Sequence, residues 1–189
     1  VIGTLIAITK YFCEGNKKLR IFSWLCDLYT TVIRGIPITV LLLMFFYIIL
    51  VSADGVTVAI IAFGINSGAY VSEIMRSGIQ SVDAGQLEAG RAVGLPFWPA
   101  MLKIVIPQAI KNILPTLGNE FITLVKETSI VGFVGATDIC VAFRYIGTNN
   151  YEFMVPYLVM ALIYIVIVCL ISLGIKLMER RLRKSDRGH

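Results

Sequence analysis

The sequence predicts an all-α polytopic membrane protein with about five transmembrane helices. Three observations carry that prediction. The 189 residues are 57% hydrophobic and only 15% charged, whereas soluble domains carry about 25% charged residues; the mean hydropathy is +0.82. Uncharged runs recur from Gly35 to Ala53, Gly55 to Ser72 and Phe153 to Ile175, each near the roughly 20 apolar residues that cross a bilayer as a helix. Lys and Arg gather in alternate connecting segments, as the positive-inside rule requires of a multi-pass chain.

Taken in order, Val1 to Thr9 is an apolar run too short to span a bilayer, and it reads as the end of a truncated first helix. No signal-peptide pattern accompanies it. Residues 10–20 form a basic loop, and residues 21–33, with Trp24, Asp27 and Tyr29, suit a helix near the membrane interface. Arg34-Gly35-Ile36-Pro37 marks a break, and residues 35–53 make the first full span. Asp54-Gly55 is a turn signal. Residues 55–76 make the second span, 77–111 a punctuated loop with short helices of its own, and 112–136 a third span that carries Glu120, Lys126 and Glu127. Residues 137–152 are a polar loop, 153–175 the clearest span, and the tail KLMERRLRKSDRGH a membrane-surface anchor. The whole of 1–189 is one domain.

Basic residues fix an orientation. Lys10, Lys17, Lys18 and Arg20 lie in the first loop; Arg91, Lys103 and Lys111 lie in the 77–111 loop; the tail is basic throughout. The other two loops share only Arg144. The 77–111 loop and the C-terminus are therefore expected on the cytoplasmic side of the membrane.

Several functions are excluded. The net charge of +5 belongs to juxtamembrane residues, and no aromatic-interleaved basic stripe points to nucleic acid. Cys13, Cys26, Cys140 and Cys169 are scattered without metal-ligand spacing, and His189 is terminal; the cysteines read as small buried hydrophobes, and no metal or cofactor is implied. No nucleophile–base set and no phosphate-binding glycine loop is present, so the chain is not expected to be an enzyme.

The 77–111 loop has the strongest internal organisation. Glu88 to Val93 are good helix formers, Gly94-Leu95-Pro96 stops that helix at a sharp turn, and Phe97 to Ile106 form a second short helix that Pro107 ends. The result is a helix–turn–helix knob along the membrane, with Gly94 at its corner. Glu88, Ala89, Gly94, Ile104 and Pro107 fall in the register of the "EAA" signature, in which Glu-Ala-Ala precedes a Gly and then an Ile-x-Leu-Pro; Gly90 replaces the second Ala, and Ile106 the Leu. On these residues the chain resembles the permease subunits of ATP-binding-cassette (ABC) importers. Asn66-Ser67-Gly68-Ala69-Tyr70, Gly78-Ile79-Gln80-Ser81-Val82, Gly118-Asn119-Glu120-Phe121-Ile122 and Leu124-Val125-Lys126-Glu127-Thr128-Ser129 are similar to the polar amino acid branch. Ile36 and Leu41 depart from it, standing where that branch usually has Thr and Gln.

The resemblance implies the type I importer permease fold. It also implies separate ABC ATPase subunits docked on the Glu88–Pro107 loop, an extracytoplasmic amino acid-binding protein, a second permease subunit (a copy or a paralogue), a polar amino acid substrate and surrounding lipid. ATP would be hydrolysed by the partner. The rival reading is an anchor or assembly subunit of an ATPase complex that transports nothing.

Candidate substrate residues follow from the cost of charge in lipid. Glu120 and Glu127 are two helical turns apart and share a face, with Lys126 about 100° away. That face either receives an ammonium or guanidinium group or is paired within the protein. Asn66 either contacts substrate or joins two helices. Gly35, beside Pro37, either frees backbone groups to face a cavity or only sets a kink.

Overall fold

The computed structural model describes residues 1–13 and 20–184; Lys17, Lys18 and the last residues of the tail, assigned above to a basic loop and an anchor, lie outside them. The described residues form helices and turns throughout. In order these are α1 (Ile2–Cys13), α2 (Arg20–Gly35), α3 (Ile38–Met44), α4 (Gly55–Gln80), α5 (Ala84–Ala92), α6 (Phe97–Ala100), α7 (Ile106–Glu127), α8 (Ile139–Asn150) and α9 (Met154–Lys184). A π-helical turn, Phe45–Ile49, continues α3; another, Met101–Val105, joins α6 to α7; and a 3-10 stretch, Thr128–Val134, follows α7.

Among the described residues two helices, Gly55–Gln80 and Met154–Leu182, are long and apolar enough to cross a membrane alone. Two bent pairs also qualify: Ile21–Gly35 with Ile38–Ile49, at 104°, and Phe97–Val134 with Ile139–Asn150, at 55°. These lengths revise two expected segments. The helix expected over 35–53 runs only from Ile38 to Ile49, because Pro37, at φ −56° and ψ 136°, leaves the helical region and starts a new helix at a steep angle. The helix expected to start at residue 112 instead starts at Phe97.

The second revision has a local cause. Pro107 was expected to end a short helix, but it sits in the first turn of α7. It lacks an N–H and its ring crowds the carbonyl four residues back. The chain widens at that point instead of breaking: the Ile106 amide reaches back five residues to Met101 O, a π-bulge of the kind that absorbs such a conflict inside a helix.

Asp54 starts α4 as an N-cap. Its carboxylate accepts from the Thr57 amide (3.0 Å) and hydroxyl (2.7 Å), and these bonds, led by the hydroxyl, hold its pKa below the ordinary range. α4 then packs against α1, α2, α3 and α7. Leu42, Val58, Ala59, Ala62, Phe63 and Val134 make the tightest core, with Leu124, Ile130 and Val131 against it. Glycine sets the closest approaches. A Cβ on Gly78 would collide with Ile113, and one on Gly118 would lie 2.7 Å from Ile175, so α7 seats on both α4 and α9 through missing side chains. Along α9, Leu158, Leu162, Ile165, Val166, Leu170 and Leu173 all stay exposed. A soluble helix buries such residues in one stripe, whereas a helix apolar all round is solvated by lipid.

One basic residue is not where the loop count put it. Lys10 lies in α1 and is only 3% exposed; its Nζ pairs with Asp27 Oδ1 of α2 at 2.7 Å and Glu73 Oε1 of α4 at 2.6 Å. It clamps three helices. The Lys10→Met variant leaves two carboxylates without that partner. Breaking a buried pair costs about 3–5 kcal/mol, and the lower end applies because Asp27 is 57% exposed. A clear drop in the thermal unfolding temperature of the purified protein is expected, with Lys10→Arg closer to wild type; equal stability of Lys10→Met and wild type would show that the clamp contributes nothing.

Candidate functional site

The knob predicted around Gly94 is an elbow with defined backbone chemistry. Asp83 starts α5, its Oδ1 accepting from the Gly85 amide at 2.6 Å. At the other end Gly94 has φ +91°, the Leu95 amide donates to Gly90 O (3.2 Å) and the Gly94 amide to Arg91 O (3.0 Å). Those two bonds are the Schellman closure of a helix, which needs a left-handed residue at the Gly94 position. Pro96 then caps α6 in extended conformation.

The elbow is held shut at Gly90. It is buried, and a Cβ there would lie 2.6 Å from Ile104 Cδ1 and 3.3 Å from Ala100 Cβ. Gly90 and Ile104, fourteen residues apart in the signature, are thus packing partners. Glu88 and Ala89 lie on the exposed face of α5 together with Arg91. Pro107 lies in the first turn of α7, directly after the π-helical turn that joins the elbow to that helix. Two side-chain bonds tie the corner further: Asn112 Nδ2 donates to Ser81 Oγ at 2.8 Å, and Gln108 Nε2 to Gln86 Oε1 at 3.4 Å. The sequence alone assigns no role to Asp83, Ser81, Gln108 or Asn112. Asp83 was detectable as an Asp directly before a helix-forming run; the cross-helix pairs had no local signal.

The second candidate group lies farther along the same helix. α4 and α7 are antiparallel, with Gly78 against Ile113 and Ser81 against Asn112. This register sets Glu120 level with Val71, Asn66 level with Val125 and Glu127 level with Gly64. Glu120 and Glu127 are both half-buried, while Lys126 is exposed; two turns of helix separate the carboxylates by about 10 Å. Asn66 is 4% exposed, within the packed side of α4. Gly64 and Gly35 are open, with no atom within 4 Å of an added Cβ, and Gly35 closes α2 at the 104° bend. A shallow cavity of ≈ 190 Å³ lined by Ser129, Cys140, Arg144 and Tyr157 lies beyond this region and includes neither carboxylate. Among the described residues no cluster of His, Cys, Asp or Glu could hold a metal ion.

The family described as "Binding-protein-dependent transport system inner membrane component" matches residues 1–184, and the chain belongs to it. Its relatives include the arginine transport system permease protein of Bacillus subtilis (strain 168), 36% identical over 190 residues that cover 98% of this chain and 86% of the relative. A putative glutamine transport system permease protein of Rickettsia bellii is 38% identical over 186 residues, covering 96% and 83%. Among solved structures, the crystal structure of an amino acid ABC transporter with histidines superposes with a TM-score of 0.85 at 39% identity, covering 95% of this chain and 85% of that one. An inward-facing methionine ABC transporter, at 22% identity and a TM-score of 0.77, shares the fold.

Proposed function

We propose that this chain is the pathway-forming permease of an ATP-driven importer of polar amino acids, coupled to separate ATPase subunits through the α5–Gly94–α6 elbow. The observation that carries this is continuity. Helical structure runs from Phe97 to Val134, so one lever joins the elbow at its start to Glu120 and Glu127 near its far end. Closure of two ATPase subunits would push on the exposed Glu88–Ala89 face of α5. The Schellman closure and the Gly90–Ile104 contact would pass that push into α7 as a rigid-body displacement. The carboxylate face would then be biased between inward and outward access. Glu120 and Glu127 would meet the ammonium or guanidinium of the substrate, with Asn66 and Gly35 as further candidate contacts.

The proposed assembly pairs two permease subunits, identical or paralogous, with an amino acid-binding protein outside. The elbow and the C-terminus face the cytoplasm, and the spans are those expected at 35–53, 55–76, 112–136 and 153–175 with the helix boundaries revised above. The amino acid relatives support the substrate class; the half-buried carboxylates on α7 support a cation-bearing one.

Reconstitution of the permease with its ATPase and a panel of binding proteins tests this reading. Uptake of a labelled polar amino acid that requires ATP, the ATPase and one binding protein is the expected result. An assembled, ATP-hydrolysing complex that moves no amino acid with any binding protein would instead identify an anchor subunit.

A further inference from the structure

We infer that the α8 end of the molecule docks the amino acid-binding protein, with the cavity over Gly132 receiving one carboxylate side chain of that partner. The inference rests on the import reading and its orientation, and it names the surface that the partner meets.

The cavity stands at the end of the spans where α4 begins. A Cβ on Gly55, the first residue of α4, would collide with the Val134 carbonyl, so the 3-10 stretch Thr128–Val134 ends level with that start. The ≈ 190 Å³ cavity lies between this stretch, α8 and α9. Arg144 lines it, and Arg144 Nη2 is 3.8 Å from the place of a Cβ on Gly132. The guanidinium therefore folds back over a bare glycine. Ser129 and Tyr157 line the same cavity, and the Tyr157 ring is stacked on Phe153 at 6.1 Å between centroids.

These side chains make an anion site. A guanidinium only donates, and a hydroxyl can donate beside it. No Asp or Glu lines the cavity. Among the described residues the side chains of Arg144, Ser129 and Tyr157 have no hydrogen-bond or ion-pair partner. The acidic residues of the two outer segments are committed elsewhere. Asp54 accepts from the Thr57 amide, Asp138 Oδ1 from the Val141 amide at 2.9 Å, and Glu152 Oε1 from the Val155 amide at 3.0 Å, each at the start of a helix. Arg144 is the sole Lys or Arg of those segments. Its complementary carboxylate comes from outside the chain.

Two observations favour a protein over a free amino acid. The cavity is smaller than the roughly 300–1,000 Å³ of sites that enclose a small ligand. It also adjoins α9, whereas Glu120 and Glu127 lie about 180–200° around α7 from Gly118, the residue seated on α9. The second observation is Tyr151. It closes α8 at φ 52° and ψ 26°, where the Glu152 amide donates to Gly147 O at 3.1 Å. Gly or Asn suits that left-handed position, and a bulky residue is strained in it. Tyr151 is 94% exposed, so packing within the protomer does not offset the strain. Tyr145 is exposed beside Arg144. Arg and Tyr are the residues enriched where protein interfaces are tightest.

The test measures how tightly the binding protein that supports uptake associates with the permease–ATPase complex in nanodiscs, at several salt concentrations. Arg144→Gln is expected to weaken association by about tenfold and to flatten its salt dependence, with Arg144→Lys between the two. Tyr151→Gly should also weaken association while the unfolding temperature of the permease holds or rises, because Gly relieves the left-handed position; a purely structural tyrosine would not separate the two readouts. One carboxylate-to-amide change on the partner should weaken its association with the wild-type permease and have no further effect on Arg144→Gln. Unchanged affinity in both Arg144→Gln and Tyr151→Gly leaves these residues to lipid headgroups and overturns the inference. Unchanged affinity with a raised half-maximal amino acid concentration for ATP hydrolysis assigns the cavity to the carboxylate of the substrate, and overturns it too. Failure of the import reading looks different: no binding protein then supports uptake by the wild-type chain, and the docking site falls with it.

Discussion

Gly94→Val is expected to abolish ATP-driven uptake while the permease still inserts and purifies as a folded protein. The reason is conformational. Gly94 has φ +91°, where a β-branched residue is a severe outlier, at a cost of about 1–2 kcal/mol before any contact is counted. No atom lies within 4 Å of a Cβ added there, so the variant acts by redirecting the backbone and not by crowding. Without the left-handed residue, the Leu95-to-Gly90 and Gly94-to-Arg91 bonds cannot both persist, and α5 swings relative to α6. The lever then loses its handle while its core, around Leu42, Val58 and Phe63, is untouched. Gly94→Asn should retain part of the activity, because Asn tolerates the left-handed region better. Uptake in proteoliposomes and co-purification of the ATPase provide the check. Unaltered uptake and co-purification in Gly94→Val would remove the elbow from the mechanism.

Glu120→Gln and Glu127→Gln are expected to weaken substrate-stimulated ATP hydrolysis without dissolving the complex. Each replacement keeps shape and removes charge, so it discards a charge-assisted bond, of about 1.5–3 kcal/mol, while leaving a neutral one possible. That corresponds to roughly a ten- to hundredfold rise in the half-maximal substrate concentration. A larger effect for basic than for neutral amino acids would mean that a side-chain cation is the bound group. Equal effects would assign the contact to the α-ammonium. Lys126 is exposed and off the shared face, so Lys126→Met should act through its neighbours and show no such dependence on substrate charge. Wild-type transport affinity in both Gln variants would make the carboxylates structural.

Periodicity and punctuation made much of the architecture legible. The uncharged stretch after Asp54 is α4, and the run from Phe153 becomes α9, because long apolar segments have few alternatives in a bilayer. Gly94 could be placed at a corner because Gly-Leu-Pro has few other uses between helix formers. One reading fails for a physical reason: proline usually ends a helix. Pro107 is absorbed by a π-bulge, and Pro115 lies inside α7, so the helix runs through both. Lys10 was misplaced because a lysine after an apolar run looks like a juxtamembrane charge, and nothing local announces partners at Asp27 and Glu73, the latter 63 residues away. The Gly90–Ile104 contact was visible as a spacing but not as a contact, since the turn that folds one onto the other is a three-dimensional fact.

In the proposed mechanism the exposed face of α5 meets the ATPase and turns its closure into movement of α7. A benzophenone amino acid placed at Ala89, on that face, reports the contact in the assembled complex. Illumination should join the permease covalently to the ATPase subunit, with a yield that changes when ATP is added. The same probe at Asn149, exposed at the end of α8, should give no such adduct. An active complex that yields no ATPase adduct from Ala89, or yields it from Asn149, would contradict both the coupling role of the elbow and the orientation of the chain.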